Sequence, residues 1–572
     1  MNSQDNLFSD KQRKQLLLNP YLGAGNFLQF AAPIYPVDCQ DSILTDMQTT
    51  ICEGESIQSL SVHSLATLAG RWALWYRQQG VESAEPVAVY CDDGLNYIIH
   101  FVALTAIGAV PALTNGKMPV PIAAAHFNNI SVKYVICDTD RCTEIRERLN
   151  PGIEAVDLAT VSLGKEELEK EHYFVHSARS PVMITHSSGT TGIPKAVILH
   201  HEQWFHGIRD LLKKPHAQGL DKYLNALPTS HNSSIAFLIH CMLSGSQIML
   251  ASQRDGKSVA NLIEEYSPST VVAFPQTYVE LAIKHADERT FSSVNTWVNS
   301  GDAAHEVHIR KLVKHGYHFR GSKKIEGSQF VDGLGSSEMG HISFHVIHTP
   351  YTANYGRCVG FPQPWVHAKA FQKDGKEVPT GDVGMLGVKS PSITPGYWNN
   401  SNLTYKSRIG DYWLTGDMVS IDKDGRVFHV DRISDVISTE AGPCYSLLTE
   451  EYILAGIPEL EECTVVGIPA GADSPFSVPV ALVVCSDSRA TEKDLLSAIN
   501  QHLTDQGLPA VTEVRIVDHQ DIPKGITGKV LKRTLREQLL NPAKSSRPAA
   551  KPASRSKSRR ASSRSAKSKS TA

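Results

Sequence analysis

The stretch His186-Ser187-Ser188-Gly189-Thr190-Thr191-Gly192-Ile193-Pro194-Lys195 constrains this chain more than any other. It packs four hydroxyls, two glycines and an ammonium into ten residues. Glycine frees the backbone, and consecutive N–H groups with hydroxyl and ammonium donors can converge on a polyphosphate. An ordinary Ser/Thr/Gly surface turn is the alternative reading. The flanks set the fold: Val182-Met183-Ile184 before the loop and Ala196-Val197-Ile198-Leu199 after it have the β-branched, apolar look of buried strands. A Walker-type loop is excluded, because it needs Gly before the Lys, Ser or Thr after it, and a helix beyond. Here Pro194 and Ala196 flank Lys195, and the loop joins two strands.

The surrounding chain repeats the strand and helix alternation expected of α/β layers with mainly parallel sheets. Apolar residues recur at helical spacing over 61–79, and Pro86-Val87-Ala88-Val89-Tyr90 then reads as a buried strand. A helix over 96–107 leads to a strand at Val110-Pro111-Ala112-Leu113, and a helix over 123–129 to a strand at Tyr134-Val135-Ile136-Cys137. Beyond the loop, 202–213 is helical, Val271-Val272-Ala273-Phe274 is a strand closed by Pro275, and 277–285 is helical. Thr296-Trp297-Val298-Asn299 runs into Ser300-Gly301-Asp302-Ala303-Ala304, a small-residue turn that a ligand can approach closely. Residues 1–50 lack periodicity and are expected to wrap the body as an irregular lead-in.

At 572 residues the chain is long for one core. The expected organisation is a large N-terminal domain over 1–431, made of layered α/β subdomains and a barrel-like subdomain of short strands from about 381 to 432. A small mobile α+β C-terminal domain over 432–540 follows, with strands at Cys463-Thr464-Val465-Val466-Gly467 and Val480-Ala481-Leu482-Val483-Val484 and a helix over 492–503. Residues 541–572 hold ten of the 56 Lys and Arg and no acid, so the rest of the chain carries 59 acidic against 46 basic side chains. Such a Ser-, Ala-, Lys- and Arg-rich tail cannot bury an apolar face and is expected to be disordered. Ten cysteines without a pairing pattern and a polar N-terminus without an apolar signal core fit a reduced, cytoplasmic protein. The most apolar run, 97–113, contains His100, Gly108 and Pro111 and falls short of a membrane span.

The loop resembles the signature of the adenylate-forming superfamily, which comprises acyl- and aryl-CoA synthetases, adenylation domains of peptide synthetases and luciferases. Ala196 stands where that family usually has glycine. Three further segments follow in family order. Gly333-Leu334-Gly335-Ser336-Ser337-Glu338 resembles the aromatic-Gly-x-Thr-Glu element, with Leu334 for the aromatic and Ser337 for Thr. Trp413-Leu414-Thr415-Gly416-Asp417, with Asp431-Arg432 fifteen residues later, is similar to the ribose-binding pair. Pro523-Lys524-Gly525-Ile526-Thr527-Gly528-Lys529 resembles the C-terminal lysine motif.

The resemblance implies ATP, Mg²⁺ and CoA, or a carrier protein's phosphopantetheine, as cofactors. It puts Ser187, Ser188, Gly189, Thr190, Thr191, Gly192 and Lys195 on the β- and γ-phosphates. Gly301, Asp302, Ala303, Gly333, Leu334, Gly335, Ser336 and Ser337 would lie around the nucleotide. Glu338 would ligate Mg²⁺, Asp417 would hold the ribose hydroxyls, and Arg432 would lie on the ribose side. Lys529 is the implied catalytic cation between substrate carboxylate and α-phosphate, a task that suits a mobile point charge. The implied reaction is adenylation of a carboxylic acid with release of pyrophosphate, then formation of a thioester.

His231 matches the residue that gates the carboxylate, and Asn232 lies where amino-acid activators place an Asp, which weighs against α-amino acids. Gly335 lies where acetate-specific relatives carry a bulky aromatic, so a larger acyl or aryl acid is expected. Apolar residues 235–243 either line that pocket or form a core helix. Ser434 replaces the usual hinge Asp or Lys, and Ala441 precedes Gly442 where the following loop has its glycine, which puts the second half-reaction in question. The expectation is a medium- or long-chain acyl- or aryl-CoA ligase. The alternatives are an enzyme loading a carrier protein and an inactive binding protein tethered by its tail. Expected partners are a small carboxylic acid, CoA or an acyl carrier protein, and an anionic polymer or membrane at the tail.

Overall fold

The computed structural model describes residues 8–187, 193–213, 221–302, 304–353, 355–471, 473–525 and 529–541. The strands flanking the loop form where β-branched residues predict them. Pro181–Ser187 and Lys195–His200 pair antiparallel, with Ile184 opposite Ile198 and Ser187 opposite Lys195. They close one edge of a six-stranded sheet whose other members, Val110–Leu113, Pro86–Tyr90, Tyr134–Cys137 and Glu154–Asp157, run parallel. Helices Val62–Gln78 and Asn96–Ala106 lie against each other beside this sheet and bury Trp72, Tyr76 and Phe101 completely. Each such ring contributes roughly 1.5–3 kcal/mol. The Tyr76 hydroxyl meets His100 Nδ1 at 2.8 Å, which satisfies a polar pair inside that core.

A second sheet has fourteen strands among the described residues. Its parallel half orders Gln247–Leu250, Lys222–Asn225, Thr270–Ala273, Thr296–Asn299 and Gln329–Gly335 side by side. From Ile342–His348 onward the pairing is antiparallel, through Cys358–Pro362, Val427–Arg432, Tyr412–Ile421, Val383–Lys389 and His367–Phe371. The segment expected as a barrel-like subdomain is therefore continuous with the large sheet. Helix Asn232–Ser244 buries Ile235, Leu238, Ile239 and Leu243 completely, so 235–243 is a core helix.

The lead-in is not irregular. Ser9 and Gln12 form a capping box that starts helix Asp10–Leu18, and Phe27–Ala31 is a second helix. Ile43–Cys52 joins the large sheet parallel to Gln247–Leu250, with Ile43 opposite Ile248. Its polar Thr45, Asp46, Gln48 and Thr49 hide the strand from a search for apolar runs. The helix over 277–285 starts earlier, at Pro275, and widens to a π turn over Leu281–His285.

Beyond Arg432 the chain forms a three-stranded sheet of Leu460–Pro469, Ser477–Cys485 and Glu513–Ile516. Helices Ser446–Gly456 and Glu492–Asp505 pack on it through Ile453, Leu454, Leu495, Ile499 and Leu503. Helix Lys532–Leu540 contributes Leu535 to a second cluster with Val466, Val480 and Leu482. All ten cysteines are free thiols.

Candidate active site

Three groups of side chains face one another where the large sheet, the loop strands and the C-terminal segment meet. The first centres on Glu338, which is 9% exposed. Strand Gln329–Gly335 carries the chain to it, squeezed between its neighbours. A Cβ at Gly333 would lie 2.1 Å from the Phe344 carbonyl oxygen, and one at Gly335 2.6 Å from that of His341. Only glycine fits. Leu334 turns its side chain into the core beside Met339 and Phe344, leaving only its backbone on the other face. Ser336 accepts a hydrogen bond from Met339 N–H at 3.2 Å, which tightens the turn, and Ser337 is half-buried. Glu338 Oε1 then accepts from Ser187 Oγ at 3.2 Å and from the Tyr397 hydroxyl at 2.9 Å. Lys195 Nζ lies 5.5 Å from the centre of the Tyr397 ring. Ser188, Gly189, Thr190, Thr191 and Gly192 lie outside the described residues, as does Ala303.

The second group is an ion pair across adjacent strands. Asp417 is the register partner of Arg432, whose Nε lies 3.0 Å from Asp417 Oδ1. His429 Nε2 lies 3.3 Å from the same oxygen. Burial alone would raise the Asp417 carboxyl, but Arg432 and His429 outweigh it and hold the group well below the usual carboxylate range. Arg432 is held above its usual value by Asp417, with Asp302 and Glu338 adding to the effect against its own burial.

The third group joins the middle of the chain to its C-terminal segment. After strand Thr296–Asn299 the backbone turns at Gly301 (φ +91°), where a Cβ would meet the Phe274 ring at 2.7 Å. Asn299 Nδ2 holds the turn by donating to the Asp302 carbonyl at 2.8 Å. Lys529 Nζ reaches to 4.0 Å from Asp302 Oδ1, and Gly525 N–H donates to the Lys529 carbonyl at 2.7 Å. Lys529, Asp302 and Arg432 thus line one cleft with Gln276, Glu462 and Lys524.

His231 caps helix Asn232–Ser244, where its Nδ1 accepts the Ser233 N–H at 3.3 Å. That contact leaves the ring proton on Nε2. The imidazole is half-buried, edge-on to Phe274 at 5.4 Å, and desolvation lowers its pKa to about 4, so it is neutral at pH 7. Asn232 is buried, and among the described residues no hydrogen bond ties its side chain into the three groups.

The family model for the AMP-binding enzyme matches residues 41–398, and that for the AMP-binding enzyme C-terminal domain matches 450–529. A 3-aminoavenalumate diazotase from a Streptomyces species is 35% identical over 552 residues, covering 93% of this chain and 98% of that protein. This chain belongs to the adenylate-forming, AMP-binding enzymes. A long-chain-fatty-acid–CoA ligase of Escherichia coli O6:H1 is 28% identical over 369 residues, 62% of this chain and 61% of that one. An anthranilate CoA ligase in complex with anthranoyl-AMP has the same fold, with a TM-score of 0.77 at 19% identity over 92% of this chain and 99% of its own.

As an adenylate-forming ligase the chain has a donor set that suits Mg²⁺ at Glu338. The carboxylate is buried, and among the described residues its hydrogen bonds come from the Ser187 and Tyr397 hydroxyls. That leaves its charge for a hard cation that takes few protein oxygens and keeps several waters. Sequence reasoning did not reach Tyr397 or His429. Tyr397 follows the turn residues Pro395-Gly396 and could have been marked by them, whereas His429 lies in an ordinary alternating strand. Among the described residues no helix is long and apolar enough to cross a membrane.

Proposed function

We propose that this adenylate-forming enzyme is a diazotase: it adenylates nitrite with ATP and Mg²⁺ and passes the nitroso group to the amine of an aminoaryl acid. One observation carries this reading, the 35% identity to a diazotase along 98% of that protein's length. Ser434 and Ala441 in place of the usual hinge and loop residues add support, because they alter the parts that serve thioester formation.

In this reading the loop from Ser187 to Lys195 holds the β- and γ-phosphates. Gly301–Ala303 and the Gly333–Ser337 segment surround the nucleotide, Asp417 and Arg432 hold the ribose side, and Glu338 ligates Mg²⁺, which neutralises phosphate charge when bound. Lys529 lies between the entering oxyanion and the α-phosphate. The His231 Nε2–H donates to that oxyanion from a site where the ring stays neutral. One nitrite oxygen attacks the α-phosphorus, the α–β bridging P–O bond breaks, and pyrophosphate leaves. The aryl amine then attacks the nitrogen of the O=N–O–AMP formed, the N–O bond breaks, and AMP leaves. After loss of a proton the N-nitroso amine shifts its second N–H proton to oxygen and, with acid, loses water to give the diazonium ion. The cations act on the charge that accumulates at the α-phosphate, where fixed electrostatics contribute most.

A second reading has its own support in the fatty-acid–CoA ligase relative: the same residues adenylate a medium- or long-chain acyl or aryl acid, and CoA or a carrier-protein thiol displaces AMP. One assay separates them. ATP, Mg²⁺ and enzyme are given nitrite with a panel of aminoaryl acids, or carboxylic acids with CoA or a phosphopantetheinylated carrier. Pyrophosphate release that requires nitrite, with a product that couples to a naphthol as an azo dye, is the expected result. Thioester formation with no nitrite dependence assigns the ligase reading instead.

A further inference from the structure

The cleft at Lys529 is closed by ties that belong to neither the nucleotide nor the substrate. Helix Ser446–Gly456 carries two adjacent buried acids that face opposite ways. Glu451 turns to the large domain: its Oε2 meets His305 Nδ1 at 2.6 Å, its Oε1 accepts the Glu306 N–H at 3.0 Å, and Arg357 Nη1 lies 3.8 Å away. Glu450 turns to its own segment and accepts from Lys532 Nζ at 2.7 Å and from Val465 N–H at 2.7 Å. Lys532 also donates to Ser446 Oγ at 2.6 Å.

These contacts form a ring. His305 is three residues beyond Asp302, and Lys532 is three residues beyond Lys529, so the helix grips both sides of the Asp302–Lys529 approach. Two further ties cross the same boundary: Lys524 Nζ donates to Gln276 Oε1 at 2.5 Å, and His308 Nε2 meets the Glu461 carbonyl at 3.0 Å. Of these three ties, the Glu451 contact is the one built on a buried carboxylate with three donors. Its carboxyl is held down to about 2, because His305, Arg357 and the Glu306 N–H outweigh the burial that would raise it. It is a full charge at neutral pH.

We propose that Glu451, with His305, is a positioning residue that holds Lys529 in the cleft for adenylation and is the tie that must open before the small domain can move away. The proposal rests on the reading of Lys529 as the adenylation cation. Removing the Glu451 charge frees the helix from the large domain while the Glu450–Lys532 pair keeps Lys529 attached to the helix, so Lys529 leaves the cleft with it.

The test uses the full chain with ATP and Mg²⁺. Acetylation of individual lysines by N-hydroxysuccinimidyl acetate is followed by mass spectrometry in wild type, Glu451→Gln and His305→Asn. Expected is at least a fivefold faster reaction at Lys529 in both variants, with exposed Lys376 unchanged. The kcat for pyrophosphate release should fall at least tenfold, the KM for ATP should stay within twofold, and Glu451→Asp should recover part of the rate. A variant that merely misfolds would also expose Lys532 and lose ATP affinity, which is why His305→Asn, outside the helix, is measured alongside. Lys529 reactivity within twofold of wild type in both variants overturns the proposal. Lys529→Ala run in parallel tests the underlying reading: undiminished pyrophosphate release there overturns the role of Lys529 itself, whatever the labelling shows.

Discussion

At the scale of single residues, the charges of the cleft are arranged so that each cation has a different neighbour. Lys195 lies by the Tyr397 ring, Arg432 by Asp417, and Lys529 by Asp302. Lys529→Ala should lower kcat for pyrophosphate release by roughly 10²–10³ while ATP binding, measured by calorimetry, stays within about threefold. Asp417→Ala leaves Arg432 and His429 beside an empty buried site, and breaking such a pair costs roughly 3–5 kcal/mol. Chemical denaturation should show that loss, and the KM for ATP should rise. Because His231 is neutral down to about pH 4, its own titration should not change the adenylation rate between pH 8 and 5. A drop in kcat near pH 6.5 that disappears in His231→Gln would contradict this.

At the scale of elements, the motifs were legible where chemistry fixes residue type, and not where packing does. The strands flanking the loop, the Gly301 turn and the Asp417–Arg432 pair all lie where the sequence pattern puts them, since Ser/Gly/Lys composition and short β-branched runs are local signals. Glu338 was legible as an acid after a glycine strand, but its partner Tyr397 was not, because 59 residues separate them and only the fold joins them. The strand Ile43–Cys52 was missed because it is half polar: it pairs locally with Glu55–Leu60, but its place in the large sheet is set by Gln247–Leu250, about two hundred residues away. The glycines of strand Gln329–Gly335 belong to this scale too. Gly333→Ala puts a methyl against the Phe344 carbonyl, so backbone must move, and overpacking of this kind costs about 1–3 kcal/mol. Thermal melting should show a lower Tm with nucleotide binding weakened in parallel. An unchanged Tm would mean the two strands stand farther apart.

At the scale of the whole molecule, the protein buries many imidazoles in neutral form. Burial lowers His100 and His186 to about 3 and His126, His341 and His348 to about 4, all but His100 with smaller effects from neighbouring groups. The unfolded chain takes up protons at these residues near pH 6.5 and the folded chain does not. Stability is therefore full above that pH and falls as pH drops toward 4, by on the order of 1.4 kcal/mol per pH unit for each imidazole. Melting temperatures at pH 7.5, 6 and 5 should fall in that order, and a flat series would contradict the burial of these rings. The most direct test of the account is the fate of nitrite oxygen. With ¹⁸O-labelled nitrite, ATP, Mg²⁺ and an aminoaryl acid that supports turnover, the account predicts AMP carrying one ¹⁸O atom from nitrite. Unlabelled AMP from nitrite, with label arriving instead from an ¹⁸O-carboxylate, would contradict it and make the carboxylate the adenylated group.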